Sequence, residues 1–283
     1  MNTLLGIVSK NRASILPKAI DSAIFQDYKN LTVAVFDDNS SDNTRTLQTE
    51  YPMVQWEFST VNLGYLHARN KWMMQSCYDY FCSLDDDSWF LAPTSLSMAI
   101  THLNLNRDVA AIAFDILSPD KSNVSLLTEP FETNTFIGCG HVVRLSAARE
   151  VNFYEPNPGY YGGEEKDLCI KLIDRGYKIV FMPGVHVWHD KTLVARDLKN
   201  QHRSGVCNDL VFTYRRTPSP YLIPALCLKL LQHFRFAYSY KQLSLLPYCM
   251  QGFKDFFKLA LAGRLNRKPV KNATVTKFQR LGK

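Results

Sequence analysis

The 283-residue chain has no uninterrupted apolar run near the ~20 residues that a membrane-spanning helix requires. A chain that does not cross the membrane is therefore predicted. The short apolar run after Met1-Asn2-Thr3 meets Ser9-Lys10-Asn11-Arg12 too soon to form a signal-peptide core, so no export signal is expected either. Seven cysteines are scattered through the chain without a C-x-x-C pair. That spacing argues against a zinc site or a disulfide framework and fits a reducing, cytosolic compartment. No repeat of 20–50 residues and no low-complexity tract is present. With 46% hydrophobic and 21% charged residues, the composition excludes disordered, collagenous and coiled-coil proteins.

Acidic residues are nearly absent from the C-terminal third. Residues 199–283 carry 16 Lys and Arg against only Asp209 and Asp255, a balance of +14. Residues 1–198 carry 17 basic and 24 acidic residues, a balance of −7. An acidic body with a basic tail predicts an anionic partner for the tail.

Strand-like runs at 4–8, 31–36, 54–58, 80–84, 109–114, 136–143 and 178–182 alternate with helical spacing at 15–25, 66–77, 94–105 and 165–175. This alternation predicts an α/β sheet, mostly parallel and flanked by helices, with ligands at the carboxyl ends of its strands. Extended geometry is not expected beyond Pro183. After about residue 198 the pattern turns helical, which predicts a catalytic domain over 1–198 and a basic helical extension over 199–283.

Acidic clusters follow the strands. Asp37-Asp38-Asn39-Ser40-Ser41-Asp42 closes the second strand and can accept hydrogen bonds from a base or ribose, or simply cap the next helix. Asp85-Asp86-Asp87 closes the fourth. Three adjacent carboxylates raise one another's pKa unless a cation joins them, and Asp-x-Asp oxygen ligands suit Mg2+ or Mn2+. Gly162-Gly163-Glu164-Glu165 opens a helix. There the glycines permit close backbone approach, and the glutamates serve either as dipole-favoured caps or as a general base. His186-Val187-Trp188-His189 follows the last strand.

Taken together, the strand-end clusters, Asn11-Arg12, Asn62-Leu63-Gly64 and Ala68-Arg69-Asn70 resemble family 2 glycosyltransferases of the inverting GT-A fold, of the type that builds bacterial surface polysaccharides such as lipopolysaccharide. The resemblance runs over residues 3–195. It implies transfer of a sugar from a UDP- or dTDP-linked donor to an acceptor hydroxyl on a glycan or lipid-linked glycan, assisted by divalent Mn2+ or Mg2+. Ser9 and Asp38 would then line the nucleoside pocket, with Arg12, Asp37, Arg69, Asp85 and Asp86 on the donor. Asp85, Asp87 and His189 would hold the metal, Asp87 being the best placed. Glu165 would be the base; because Glu stands where the family usually has Asp, Glu164 is the alternative. Gly138, Gly140, Gly163 and Asp167 would face the acceptor.

The resemblance also suggests that the basic tail holds the protein on the inner face of the cell membrane, unless it packs on the catalytic domain. Two rivals are a nucleotidyltransferase and a nucleic-acid-binding protein. The first expects a Gly-rich phosphate loop after strand one, where only Gly6 is found. The second expects a basic-aromatic binding motif, which is absent, so no nucleic-acid partner is predicted.

Overall fold

The computed structural model describes all residues except 76, 160, 192–196, 240–242 and 283. Its first half runs β1 (Thr3–Ser9), α1 (Leu16–Ile24), β2 (Leu31–Asp37), α2 (Leu47–Glu50), β3 (Gln55–Phe58), α3 (Tyr65–Met73), β4 (Tyr80–Asp85), β5 (Ser88–Phe90) and α4 (Ser95–Leu105). It continues through β6 (Val109–Leu117), β7 (Phe131–Thr133), β8 (Gly140–Arg144), α5 (Leu145–Glu150), α6 (Glu164–Asp174) and β9 (Lys178–His189). The C-terminal third is helical: α7 (Leu198–Arg216), α8 (Leu222–Ser239), α9 (Leu246–Leu261) and α10 (Asn272–Leu281).

Strand alternation divides the core between the two faces of one sheet. In β1, Leu5 and Ile7 face α1 and α4 with Leu16, Ile20, Leu96 and Ile100. Leu4 faces the other way, toward Trp72, Phe81 and Leu168. Gly6 shares that second face, and a Cβ there would collide with the Trp72 ring, so glycine lets α3 pack directly onto the sheet.

The strand order is β3-β2-β1-β4-β8-β6-β9-β5, with β7 beside β9. The β3-β2-β1-β4 half is parallel, as predicted. The other half is mixed, because β8 runs antiparallel to both β4 and β6. The sheet is nonetheless mostly parallel, as expected, since β6 and β9 also pair in parallel along their length. β8 is also shorter than predicted: the chain turns at 136–139, with the Gly140 N–H donating to the Ile137 carbonyl at 3.2 Å, and pairs only from Gly140 onward.

Pro183 does not end β9. The ladder with β6 pairs Phe114 with Met182 and then Asp115 with His186, so residues 183–185 bulge out where Pro183 owes no ladder hydrogen bond. Beyond the bulge the strand reaches His189 and pairs with β5, bringing His189 opposite Ser88.

The C-terminal helices pack back on this body. Arg216 of α7 forms a two-point ion pair with Asp167 of α6, at 2.6 and 2.9 Å, and a further bond to Glu155 at 2.5 Å. Asp174, at the end of α6, accepts from the Lys271 N–H and the Thr274 hydroxyl of the α10 segment. Val206, Leu210, Phe253 and Phe256 form a separate small core between α7 and α9. No helix among the described residues is long and apolar enough to cross a membrane.

Candidate active site

The carboxyl ends of β1 and β4 open on one side of the sheet, into a cleft of about 720 Å3. Its walls include Ser9, Arg12, Arg69, Asp85, Asp86, Gly138, Glu164, Glu165 and His189.

The β4–β5 turn presents the three aspartates in different directions. Asp85 accepts from Arg69 Nη2 at 2.8 Å, Asp86 from Arg12 Nη1 at 2.5 Å, and Asp87 lies 3.3 Å from both Arg12 Nη1 and His189 Nε2. Ser88 fixes the turn: its hydroxyl accepts the Asp85 N–H and donates to the Cys139 carbonyl. The Asp190 N–H donates to the Asp87 carbonyl at 2.9 Å, which ties the end of β9 to the same turn. Burial and the neighbouring Asp87 push the Asp86 carboxyl up to about 6, against the pull of Arg12.

Arg69 is buried and spans the site. Besides Asp85 it reaches the Gly138 carbonyl at 3.1 Å and Glu165 Oε1 at 3.5 Å, with Tyr65 beneath its guanidinium. Glu165 stands at the start of α6 with its side chain 17% exposed. Burial and the adjacent Glu164 raise its carboxyl to about 8, while Arg69 opposes the rise. Gly138 leaves room for this seat, since a Cβ there would meet the Glu165 carboxylate. Glu164 is held differently: it accepts a hydrogen bond from the Tyr65 hydroxyl and is almost fully buried.

Other candidate residues lie behind the cleft wall. Asp37 accepts the Ser40 N–H at 3.0 Å, and Asp38 accepts those of Leu63 and Gly64 at 2.7 and 2.9 Å. Both therefore hold loops that shape the cleft. A Cβ at Gly140 would meet Ile116, Phe114 and Val187 in the core, and Asp167 is spent on Arg216. Neither lies on the cleft wall, because each points into packed protein. Gly163 adopts φ +92°, a left-handed conformation that glycine alone takes cheaply, and turns the chain into α6.

Three features escaped the sequence reading. Tyr65 precedes Arg69 by four residues, so one helix face presents both, a spacing that could have been noticed. His141 is fully buried, its ring stacked on Phe136 and 2.9 Å from the Tyr154 hydroxyl; burial and Arg69 hold it neutral, near 3. Asn200, Gln201 and Ser204 of α7 line the cleft, so the C-terminal third closes one of its sides.

The residues present suit a divalent cation. Ligand atoms of Asp85, Cys139 and His189 lie within 4.8 Å of one another, and Asp87 is beside His189. Carboxylate oxygens with one imidazole fit Mn2+ or Mg2+. Burial and the charges of Asp85 and Asp87 push the Cys139 thiol well up, which leaves it protonated and a poor ligand.

A parallel half-sheet joined to a mixed one, with a strand-end acidic cleft, is the GT-A fold, the architecture of nucleotide-sugar transferases. Residues 5–147 match the sequence profile of glycosyl transferase family 2, and the chain belongs to that family. An uncharacterized glycosyltransferase of Rickettsia typhi is 31% identical over 122 residues, which are 42% of this chain and 38% of the relative. The chain thus matches well under half the length of that curated relative.

Solved structures agree in fold. S. aureus TarS 1-349 in complex with UDP-GlcNAc aligns with a TM-score of 0.66 at 16% identity, over 90% of this chain and 80% of that one. The mannosyltransferase PcManGT from Pyrobaculum calidifontis, in complex with GDP-Man and Mn2+, gives 0.62 at 14% identity over 90% and 87%. GalNAc-T7 with UDP, GalNAc and Mn2+ gives 0.63 at 15% over 76% and 48%.

Proposed function

We propose that this chain moves a sugar from a nucleoside-diphosphate sugar, UDP- or dTDP-linked, to an acceptor hydroxyl with inversion at the anomeric carbon. The observation that carries this reading is the placement of Glu165, Asp85 and His189 in one cleft, with Arg69 bridging Asp85 and Glu165 and the buried Asp87 3.3 Å behind His189. Glu165 is the base, because Glu164 is already engaged by Tyr65 whereas Glu165 keeps an exposed edge. Its carboxylate takes the acceptor hydroxyl proton as the oxygen forms its bond to the anomeric carbon; the bond from that carbon to the diphosphate breaks on the opposite face. Ser9 and Arg12 border the donor side of the cleft, and Arg69 steadies the base and Asp85 together. Asp85, Asp87 and His189 would hold a divalent ion, which would supply charge stabilisation for the departing diphosphate. TarS bound to UDP-GlcNAc and PcManGT bound to GDP-Man and Mn2+ support a nucleotide-sugar donor and a metal.

The division into a catalytic domain over 1–198 and an extension over 199–283 belongs to the same proposal. So does a glycan or lipid-linked acceptor of surface-polysaccharide type, met at the inner face of the cell membrane. The helices of the extension both close the cleft and expose apolar side chains beside basic ones. On α8, Ile223, Leu228, Leu231 and Phe234 lie on one outward face; on α9, Met250, Phe257 and Leu261 do, next to Lys254 and Lys258. Phe253 and Phe256 face α7 instead and are unavailable to lipid.

Replacing Glu165 by Gln tests the base: the amide keeps the shape but takes no proton. Transfer is expected to fall ~10²–10⁴-fold with donor affinity nearly unchanged. An active Glu165→Gln enzyme beside an inactive Glu164→Gln enzyme would move the base by one residue.

A further inference from the structure

Beyond the catalytic cleft a second cavity of about 510 Å3 lies between α7, α9 and the loop at Pro158-Gly159. It adjoins the cleft, because Asn200 and Ser204 line both. Its construction follows from two glycines. A Cβ at Gly252 would come within 2.6 Å of the Arg203 carbonyl, so glycine lets α9 lie close against α7 there. Gly263, at φ +65°, ends α9 in a left-handed turn: its N–H donates to the Ala260 carbonyl and the Arg264 N–H to that of Leu259. That turn sets Arg264 on the rim of the cavity.

The charges of this cavity do not balance. Arg203 and Asp255 neutralise each other through a two-point ion pair at 2.5 and 2.9 Å. Lys258 and Arg264 remain, both exposed, and no other acidic side chain lines the cavity among the described residues. Two unmatched cations around a concavity of mixed polar and apolar lining favour an anion that makes charge-assisted hydrogen bonds. Such a site beside the cleft that holds the base has one clear use. We propose that the α7–α9 cavity binds a phosphate ester carried by the acceptor, with Lys258 and Arg264 on the phosphate and Asn200 and Ser204 along the route to Glu165.

This inference rests on the transferase reading, and the test separates the two. Full-length protein is first saturated with UDP and Mn2+, then titrated with glucose 1-phosphate and, separately, with neutral methyl glucoside. Glucose 1-phosphate is expected to bind the wild type and to bind the Lys258→Ala/Arg264→Ala variant about tenfold or more weakly. UDP affinity should be the same in both proteins, which also shows that the variant is folded. Equal binding of glucose 1-phosphate by wild type and variant overturns the proposal, as does wild-type binding no tighter than that of methyl glucoside. Should UDP not bind, dTDP takes its place in the titration, and failure of both to bind would instead overturn the transferase reading. Dodecyl phosphate, titrated in parallel, distinguishes the source of the phosphate. Tighter binding than glucose 1-phosphate, reduced by Leu261→Ser at the exposed end of α9, supports a lipid-borne ester; equal binding supports a soluble one.

Discussion

Glu165 occupies a seat that penalises its own charge. Burial and Glu164 lift its carboxyl to about 8, with Arg69 as the opposing influence. A base must be ionised to accept a proton, so kcat/KM is expected to rise with pH and level off above about 8. The same shift acts on stability with a definite sign. The folded protein retains a proton that the unfolded chain releases near the ordinary Glu value, so the stabilisation present at low pH is lost as pH rises toward 8. Metal-free Glu165→Gln should therefore melt higher than wild type at pH 8.5, by a margin that shrinks at pH 5. A margin independent of pH in a thermal scan would contradict the raised carboxyl. The residue types of this site were legible in the sequence, since acid clusters at strand ends announce themselves. Their partners were not. That Tyr65 engages Glu164, that Gly138 makes room for Glu165, and that Asp167 turns away toward Arg216 depend on contacts across 99, 27 and 49 residues, and local pattern carries no trace of them.

Among the elements, the junction of α6 and α7 is the most exposed to single changes. Asp167 is 1% exposed and held by Arg216, itself 3% exposed, with Glu155 closing the cluster. Removing one member of such a buried pair strands the other, at a typical cost of ~3–5 kcal/mol. Arg216→Ala is expected to lower the urea midpoint sharply and to lower transfer with it, because α6 carries Glu165. Arg216→Ala together with Asp167→Asn should recover part of that loss; a single variant as stable as wild type would show the pair to be dispensable. Helices α1, α4 and α6 and the parallel strands were readable because their apolar spacing is local and regular. β8 and the end of β9 were not. The apolar run around Gly138 reads as strand although the chain turns there, and the ladder to β4 sets the start of β8 at Gly140; Pro183 argues for a strand end, yet the ladder to β6 resumes beyond the bulge.

At the level of the whole molecule, the division of charge was plain from composition, but its consequence needed the fold. The basic third closes the catalytic cleft with α7 and still presents apolar and basic side chains together on α8 and α9. Each basic residue near an anionic bilayer contributes about 1 kcal/mol, screened beyond a Debye length of ~10 Å at 0.1 M salt. Full-length protein is expected to sediment with phosphatidylserine-containing vesicles at low salt and to release at high salt. Leu228→Ser/Leu231→Ser should weaken sedimentation while leaving UDP affinity unchanged. Sedimentation indifferent to both salt and these substitutions would contradict a membrane role for α8.

The central claim is that the acidic strand-end cleft binds a nucleoside diphosphate through a divalent ion held by Asp85, Asp87 and His189. Calorimetric titration of the full-length protein with UDP, dTDP and GDP, each with and without Mn2+, addresses it most directly. The account predicts saturable one-to-one binding of at least UDP or dTDP in Mn2+, much weaker binding without it, and loss of the Mn2+ dependence in Asp87→Ala. Nucleotide binding equally tight with and without Mn2+, or an Asp87→Ala protein that binds as wild type does, would contradict it.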